Sequence, residues 1–359
     1  MEVSMYGNVK LKKIVTTLIV VILFAGCNTN KITTSWNEER QIQEYEVIYS
    51  DDKFEAGGDI SEMRLWNNVL ILYYSSGEYL FDFIDIATGE RLCYWGRRGR
   101  GKGEYLSTGS SFEVNDTTLM FIDDYAKLII KADVRAILNG ASDAIVSRQP
   151  YPYTRDFRPR TITSIGEVMV ATGVFSSGCI GLMDSVAKVI PNHTPYAIGR
   201  NLENVQFAGM LFQRELMGNQ YNRKIVQRYY ASDIFEIYTV QDTILNKIYL
   251  SEGGNEPQLK FTQHPERPYI IDYDNSIAGF VNMDATDNGI YFTYLAESYA
   301  KVTGSELCSN ELLSFDWNGC KKVKYLLPVS VAEFCTDDNY LYGVGFQEAA
   351  TLIYRIPLN

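Results

Sequence analysis

The chain has 359 residues, with 33 Lys and Arg against 44 Asp and Glu, and a net charge of −11. A hydrophobic share of 46% is typical of a folded protein and excludes an intrinsically disordered chain. The acidic balance argues against nucleic acid as a partner, because a nucleic-acid-binding face needs clustered positive charge. With only two histidines, His193 and His264, a histidine-rich metal site is excluded. Aromatic residues reach 13%, which favours β-sheet.

The first 26 residues indicate a lipoprotein signal peptide. Lysines at 10, 12 and 13 precede an apolar run over 14–25, which is too short for a stable membrane anchor. The following Ala25-Gly26-Cys27 resembles the bacterial lipobox, in which a peptidase cleaves before the cysteine and its thiol is acylated. The resemblance implies a membrane anchor at Cys27. An ordinary signal peptide followed by a chance cysteine is the alternative.

We expect residues 27–40 to form a lipidated tether and residues 41–359 to form one domain. Asn28 is not the Asp of the inner-membrane retention signal known from enteric bacteria, which favours the outer membrane. Which side of that membrane the domain faces stays open.

A pattern of a polar turn followed by an apolar strand recurs along the domain. The turns centre on Asn67, Asn115, Gly166, Asn288 and Asp338. Their spacings are 48, 51, 122 and 50 residues, so three of the four are close to fifty. The one wide gap leaves room for a sixth unit, with strands over 224–231 and 233–241. About fifty residues suffice for a four-stranded sheet. The sequence therefore predicts an all-β fold, a six-bladed β-propeller of four-stranded blades, with a two-sheet sandwich as the alternative.

Three local features refine this prediction. A strand over 43–49 is expected to complete the last blade and close the ring. Residues 205–223 are expected to hold a short helix or an irregular insertion. The dipeptide Asn318-Gly319 predicts a hairpin with a type I′ turn, in which both central residues have positive φ.

Six cysteines include Cys27 and five in the domain, and no spacing among them suggests zinc. We expect no specific disulfide among Cys93, Cys179, Cys308, Cys320 and Cys335, although an oxidising envelope would permit one.

A glycine-rich, basic segment covers residues 96–105, with the sequence GRRGRGKGEY. It resembles the G-x-x-G-x-G-P-G-E-F loop of TolB-like six-bladed propeller lipoproteins and, more distantly, of NHL repeats. The segments over 114–133 and 315–319 are similar to later parts of such blades, so the resemblance spans roughly residues 40–357. It implies a lipidated propeller whose function does not follow from its fold.

The same segment offers candidate binding residues. Its four cations, Arg97, Arg98, Arg100 and Lys102, are candidates for binding an anion, an acidic glycan or a partner. Its glycines are expected to form a tight turn, with Gly101 at positive φ. Gly103 stands where a P-loop needs Ser or Thr, so the segment does not predict nucleotide hydrolysis.

No catalytic constellation is evident. His193 and His264 are expected to be exposed loop residues, and Asp123-Asp124 and Asp337-Asp338 are adjacent pairs explained by turns. We expect no cofactor and no resident metal. The leading hypothesis is a non-catalytic binding or scaffold propeller of the cell envelope, acting on a protein or glycan. The alternative is an envelope hydrolase or lyase with an axial, metal-dependent site of the lactonase kind.

Overall fold

The computed structural model describes residues 36–51, 60–106, 108–141, 144–194, 213–251, 254–263, 269–302, 307–347 and 350–359. The predicted signal peptide, Cys27 and His264 lie outside these ranges, as does the tether before residue 36. Within these ranges, no helix is both long and apolar enough to span a bilayer.

In the described residues, six blades of four antiparallel strands each form a six-bladed β-propeller, as predicted, and one blade carries an additional parallel strand. Two N-terminal strands precede the blades, β1 (Glu38–Gln41) and β2 (Glu46–Asp51). Blade 1 consists of β3 (Ile60–Trp66), β4 (Val69–Tyr74), β5 (Tyr79–Asp85) and β6 (Arg91–Arg97). Blade 2 consists of β7 (Thr108–Asn115), β8 (Thr118–Asp123), β9 (Leu128–Asp133) and β10 (Ile145–Pro150), with helix α1 (Val134–Leu138) after β9. Blade 3 consists of β11 (Phe157–Ile165), β12 (Val168–Phe175), β13 (Gly178–Asp184) and β14 (Val189–Ile190).

The second half of the ring repeats this order. Blade 4 consists of β15 (Gln213–Asn219), β16 (Lys224–Tyr229), β17 (Phe235–Gln241) and β18 (Ile244–Leu250), followed by a hairpin of β19 (Leu259–Phe261) and β20 (Tyr269–Ile271). Blade 5 consists of β21 (Ile277–Ala285), β22 (Ile290–Ser298), β23 (Ser309–Phe315) and β24 (Lys321–Val331), with a 3₁₀ turn over Tyr299–Lys301. Blade 6 consists of β25 (Glu333–Thr336), β26 (Tyr340–Gln347), β27 (Ala350–Pro357) and the N-terminal β2.

The ring is closed. The first strand of each blade contacts the first strands of both neighbouring blades, including β25 of blade 6 with β3 of blade 1. Strand β2 pairs antiparallel with β27, so the predicted closing strand is confirmed, over Glu46–Asp51 rather than 43–49. Strand β1 adds to blade 5, parallel to β24, so the sheet structure already begins at Glu38.

Hydrophobic cores fill the spaces between blades. In β4, Ile71 belongs to the core between blades 1 and 2, whereas Leu70 and Leu72 belong to the core between blades 6 and 1. Because both faces of a central strand are covered in this way, its sequence is a continuous apolar run. This is why the second strands gave the clearest sequence signal.

Antiparallel order gives the ring two different faces. The turns between first and second strands and those between third and fourth strands lie on one face, which we call the mouth face. The connections from each fourth strand to the next blade lie on the opposite face, which we call the crossover face. Trp36 packs edge-on against Phe315, the last residue of a third strand, so the described chain begins near the mouth face.

Two local predictions are corrected. Within 205–223, residues Gln213–Asn219 form β15, the first strand of blade 4, because they pair with the predicted strand at Lys224–Tyr229; residues 205–212 lie outside the described ranges. At the hairpin between β23 and β24, only Gly319 has positive φ, at 84°. The Asp316 carboxylate accepts hydrogen bonds from the amides of Asn318 and Cys320, at 2.8 and 2.9 Å, and this holds a wider turn than type I′.

Candidate functional site: an axial cavity walled by the first strands

Polar side chains of the first strands link neighbouring blades at three of the seams around the axis. Glu62 on β3 accepts a hydrogen bond from the amide of Phe112 on β7, at 2.9 Å. Asp284 on β21 does the same for the amide of Thr336 on β25, at 2.7 Å. These carboxylates therefore satisfy backbone donors at the seams between blades.

Glu113 on β7 makes the richest of these links. Its carboxylate accepts hydrogen bonds from the Thr163 hydroxyl at 2.7 Å, the Ser164 amide at 3.0 Å and the Ser164 hydroxyl at 2.9 Å. All three donors are neutral groups of blade 3. Burial raises the pKa of Glu113, and these hydrogen bonds oppose the rise.

Arg64 and Glu62 form an ion pair within the wall. Arg64 binds Glu62, its neighbour two residues earlier on β3, and also donates to the carbonyl of Met63 at 2.8 Å. The carboxylates of Asp284 and Glu215 also act electrostatically on this guanidinium. Burial raises the pKa of Glu62 to about 7, while Arg64 opposes the rise. Burial likewise raises the pKa of Asp284 to about 6, and Arg64 again opposes it.

A second ion pair lies within blade 4, and its arginine also reaches blade 5. Arg228 on β16 is only 1% exposed and binds Glu215 with two contacts, at 2.6 and 2.8 Å. The same guanidinium donates to the carbonyl of Phe280 on β21. Such a bidentate contact between arginine and carboxylate fixes the relative position of the two side chains in the wall.

A cavity of about 520 Å³ lies inside this wall. Its lining comes from the first strands of blades 1 to 5 and includes Arg64, Glu113, Thr163 and Asp284. It opens on the mouth face, where the turns contribute Asp116, Gln220, Tyr221 and Asp287. Tyr221 is 88% exposed at this rim.

The sequence contains a signal for this wall that lies outside any catalytic motif. Glu62, Glu113, Ser164 and Glu215 are spaced at intervals of 51 residues, close to the repeat length of the first blades, and all four lie on first strands. They do not occupy the same position in each strand, because Glu62 lies near the start of β3 and Ser164 next to the end of β11. The spacing therefore places polar residues on consecutive first strands, whereas their partners depend on how the blades pack.

The basic segment 96–105 lies elsewhere, on the crossover face, between the outer strand of blade 1 and the first strand of blade 2. Its four cations do not form one free cluster. Arg97 pairs with Glu78 at 3.3 Å and with Glu104 at 3.9 Å. Arg98 donates to the carbonyl of Tyr74 and is partly buried. Arg100 and Lys102 are exposed on the loop.

The segment works as a link between blades. Tyr105 is 3% exposed, and its ring lies 5.8 Å from that of Trp95 and 5.3 Å from that of Phe121. Backbone bonds close the loop behind it, from Gly99 N to Tyr105 O at 3.0 Å and from Tyr105 N to Arg97 O at 2.9 Å.

The glycine prediction is corrected in one detail. Gly96 and Gly103 adopt positive φ, at 76° and 85°, whereas Gly101 does not. The amide of Gly101 instead donates to the Glu104 carboxylate at 2.7 Å, which sets its conformation.

The remaining candidates occupy ordinary positions. His193 is exposed in a loop of blade 3, as predicted. No disulfide joins the five cysteines that the structure describes. Asp123 accepts hydrogen bonds from the amides of Tyr125 and Ala126, at 3.0 and 2.9 Å, which is the turn role predicted for it. Across the described ranges, no group of three or more His, Cys, Asp or Glu side chains is arranged to hold a metal ion.

Comparisons with solved structures find the same architecture at low sequence identity. A protein of predicted export from Bacteroides fragilis NCTC 9343 superposes with a TM-score of 0.52 at 11% identity, covering 89% of this chain and 99% of that one. The β-propeller domain of Cps50 (Swd1) from Myceliophteria thermophila gives a TM-score of 0.50 at 10% identity, covering 87% of this chain and 99% of that one. At these identities the likeness concerns the fold alone. A comparison with curated protein sequences gave no match.

A family model carries more weight, because it matches residues 61–339, most of the propeller. The matched region runs from the first strand of blade 1 into blade 6 and includes both the axial wall and the glycine-rich loop. The chain therefore belongs to the TolB-like six-bladed propeller family.

Proposed function

We propose that this protein is a non-catalytic binding or scaffold propeller of the bacterial cell envelope that takes a ligand, or a group of a protein or glycan partner, into its axial cavity. The observation that carries this proposal is the cavity of about 520 Å³, open at one face and walled by five blades. Cavities of this size with a few convergent polar groups are typical ligand sites.

The hydrogen bonds of the wall support binding rather than catalysis. Glu62, Glu113 and Asp284 each accept an amide of the next blade, so their oxygens hold the ring together. The guanidinium of Arg64 lies in the same wall and binds Glu62, so this carboxylate is also engaged by a side chain of the protein. The wall is thus rigid and preorganised, which favours selective binding.

An envelope location has separate support. The TolB-like family and the predicted export of the Bacteroides fragilis relative are consistent with it. We further propose lipidation at Cys27 and attachment to the outer membrane. Trp36 lies nine positions after Cys27 in the sequence, which corresponds to a distance of at most about 30 Å. Because Trp36 lies near the mouth face, this anchor would turn the cavity toward the membrane.

The anchor is tested with Cys27→Ala. We expect the variant to leave the membrane fraction or to stay uncleaved, and wild type to incorporate a labelled fatty acid. Unchanged membrane association and unchanged gel mobility, without acyl label in wild type, would contradict lipidation.

The binding proposal is tested by cross-linking in cells. A photoreactive phenylalanine analogue replaces Tyr221 at the cavity rim or, as the matched control, Tyr125, which is 70% exposed on the crossover face. We expect discrete cross-linked products from position 221 that are missing from position 125. The same products from both positions, or none from 221, would refute a ligand at the mouth.

A further inference from the structure

The cavity wall carries more negative charge than its described cations neutralise. Among the described residues that line the cavity, Arg64 is the one cation, and Glu62 already binds it. Glu113 receives only neutral donors, and Asp284, 5% exposed, receives the Thr336 amide. Two wall carboxylates therefore have hydrogen bonds but no ion pair among the described side chains.

Buried charge without a counter-charge is costly, because the medium around it screens poorly. Neutral donors compensate part of that cost, and the electrostatic attraction of Arg64, shared among several carboxylates, compensates another part. A cation that entered the cavity would supply the missing counter-charge for both Glu113 and Asp284.

Residues at the rim of the cavity also favour a cationic ligand. Asp116 and Asp287 contribute two further carboxylates at the opening, where both are exposed. Tyr221 offers an exposed aromatic ring beside them, and such rings attract cations through their π-faces. Acidic walls around a low-dielectric pocket also concentrate cations from solution.

Size limits the ligand. A volume of about 520 Å³ exceeds that of a hydrated metal ion and suits an extended organic group. Glu113 belongs to blade 2 and Asp284 to blade 5. A ligand that contacts both carboxylates must therefore extend across the cavity.

We infer that the ligand carries an organic cation, a primary ammonium or guanidinium group, that enters from the mouth face and lies between Glu113 and Asp284. This inference rests on the proposed function and names the chemistry of its ligand. The group is supplied either by a lysine or arginine side chain of a partner protein or by a free polyamine.

Calorimetric titration at low ionic strength tests the inference with three probes. Spermidine represents a free polyamine, an otherwise uncharged hexapeptide with one central lysine represents a partner side chain, and citrate represents an anion. The proteins are wild type, the double variant Glu113→Gln with Asp284→Asn, and a control, Glu44→Gln with Glu256→Gln. The control removes the same two charges from exposed positions.

We expect at least one cationic probe to bind wild type and the control equally and to bind the cavity variant at least tenfold more weakly. Preference for spermidine identifies a free polyamine, and preference for the peptide identifies a partner side chain. Thermal unfolding of the cavity variant, followed by circular dichroism, checks that it is folded. If it is not, Asp284→Asn alone replaces it, because the amide oxygen of Asn can still accept from Thr336.

Three outcomes overturn the inference. Equal binding of the cations to the cavity variant would show general surface attraction. Binding of citrate, and of neither cation, to wild type would leave the proposed function intact but reverse the ligand charge. Absence of binding by both cationic probes would reject an organic cation, and the proposed function would fail with it only if position 221 also gave no cross-linked products.

Discussion

The axial wall and the glycine-rich loop contain the same chemical groups in opposite settings. Both bring arginine close to glutamate, as Arg64 with Glu62 and as Arg97 with Glu78. The side chains of the first pair are 16% and 8% exposed, and those of the second are 61% and 57% exposed. Burial makes the first pair energetically important, whereas water screens the second. Density of charge in the sequence is therefore a poor guide to the site, and position in the ring is a better one.

The loop matters through its aromatic residue rather than its cations. Replacing Tyr105 with Ala should lower the free energy of unfolding by about 3–5 kcal/mol, because it empties the seam between blades 1 and 2. The matched control Tyr125→Ala removes an exposed ring and should change stability by less than about 0.5 kcal/mol. Denaturant titration measures both. Equal effects would show that Tyr105 does not hold the seam.

The central ion pair gives the next largest effect. Arg64→Met should cost about 2–4 kcal/mol near pH 8, because Glu62 is left charged and buried without its partner. The matched variant Arg97→Met should cost less than about 1 kcal/mol. Both values come from urea unfolding at one pH. A loss for Arg97→Met as large as that for Arg64→Met would remove the distinction between the two regions.

The wall should also make stability depend on pH. Glu62 has a folded pKa of about 7, raised by burial from 4.5, so the folded state holds its proton more tightly than the unfolded state. Stability is then greatest below about pH 4.5 with respect to this group and falls as pH rises to 7. Asp284, raised by burial to about 6, acts in the same direction.

Through Glu62 alone, the free energy of unfolding should fall by on the order of 2–3 kcal/mol between pH 4.5 and 8. Glu62→Gln should flatten this part of the stability profile, because Gln does not titrate. Thermal unfolding across this pH range measures the slope. A variant profile as steep as that of wild type would assign the pH dependence to other groups.

Backbone conformation in the loop gives a smaller effect. Gly103 has φ of 85°, and a Cβ there would meet no atom within 4 Å, so Gly103→Ala tests conformation without crowding. We expect a loss of about 1 kcal/mol. Lys102→Ala, one residue earlier, should be neutral within about 0.5 kcal/mol. Chemical denaturation distinguishes them, and a neutral Gly103→Ala would show that the loop adapts.

The smallest expected effect concerns the exposed cations of the loop. Arg100→Ser with Lys102→Ser should change stability by less than about 0.5 kcal/mol, because exposed charges contribute little. The anion-binding hypothesis for this loop requires that the double variant lose salt-sensitive binding to an acidic polysaccharide. Retained binding at low salt would leave the loop with its seam role alone.

Much of the fold followed from local patterns. The turn spacing near fifty residues and the apolar second strands predicted six blades, and the strand before blade 1 was predicted to close the ring. The second strands are visible in the local sequence because a strand covered on both faces must be apolar along its length. The first strand of blade 4 was missed because Gln213–Asn219, with the sequence QRELMGN, mixes polar and apolar residues and contains no continuous apolar run.

The sequence by itself determined the class of fold, the number of blades and the net negative charge. The leader and the lipidation of Cys27 stay predictions from the sequence. Only the tertiary structure decided which charges face each other. Glu113 and Ser164, or Asp284 and Thr336, are about fifty residues apart in the chain and become neighbours only when the ring closes. Spacing at the blade period marks such positions, but the pairing of side chains, and hence the cavity and its charge, depends on how the blades pack around the axis.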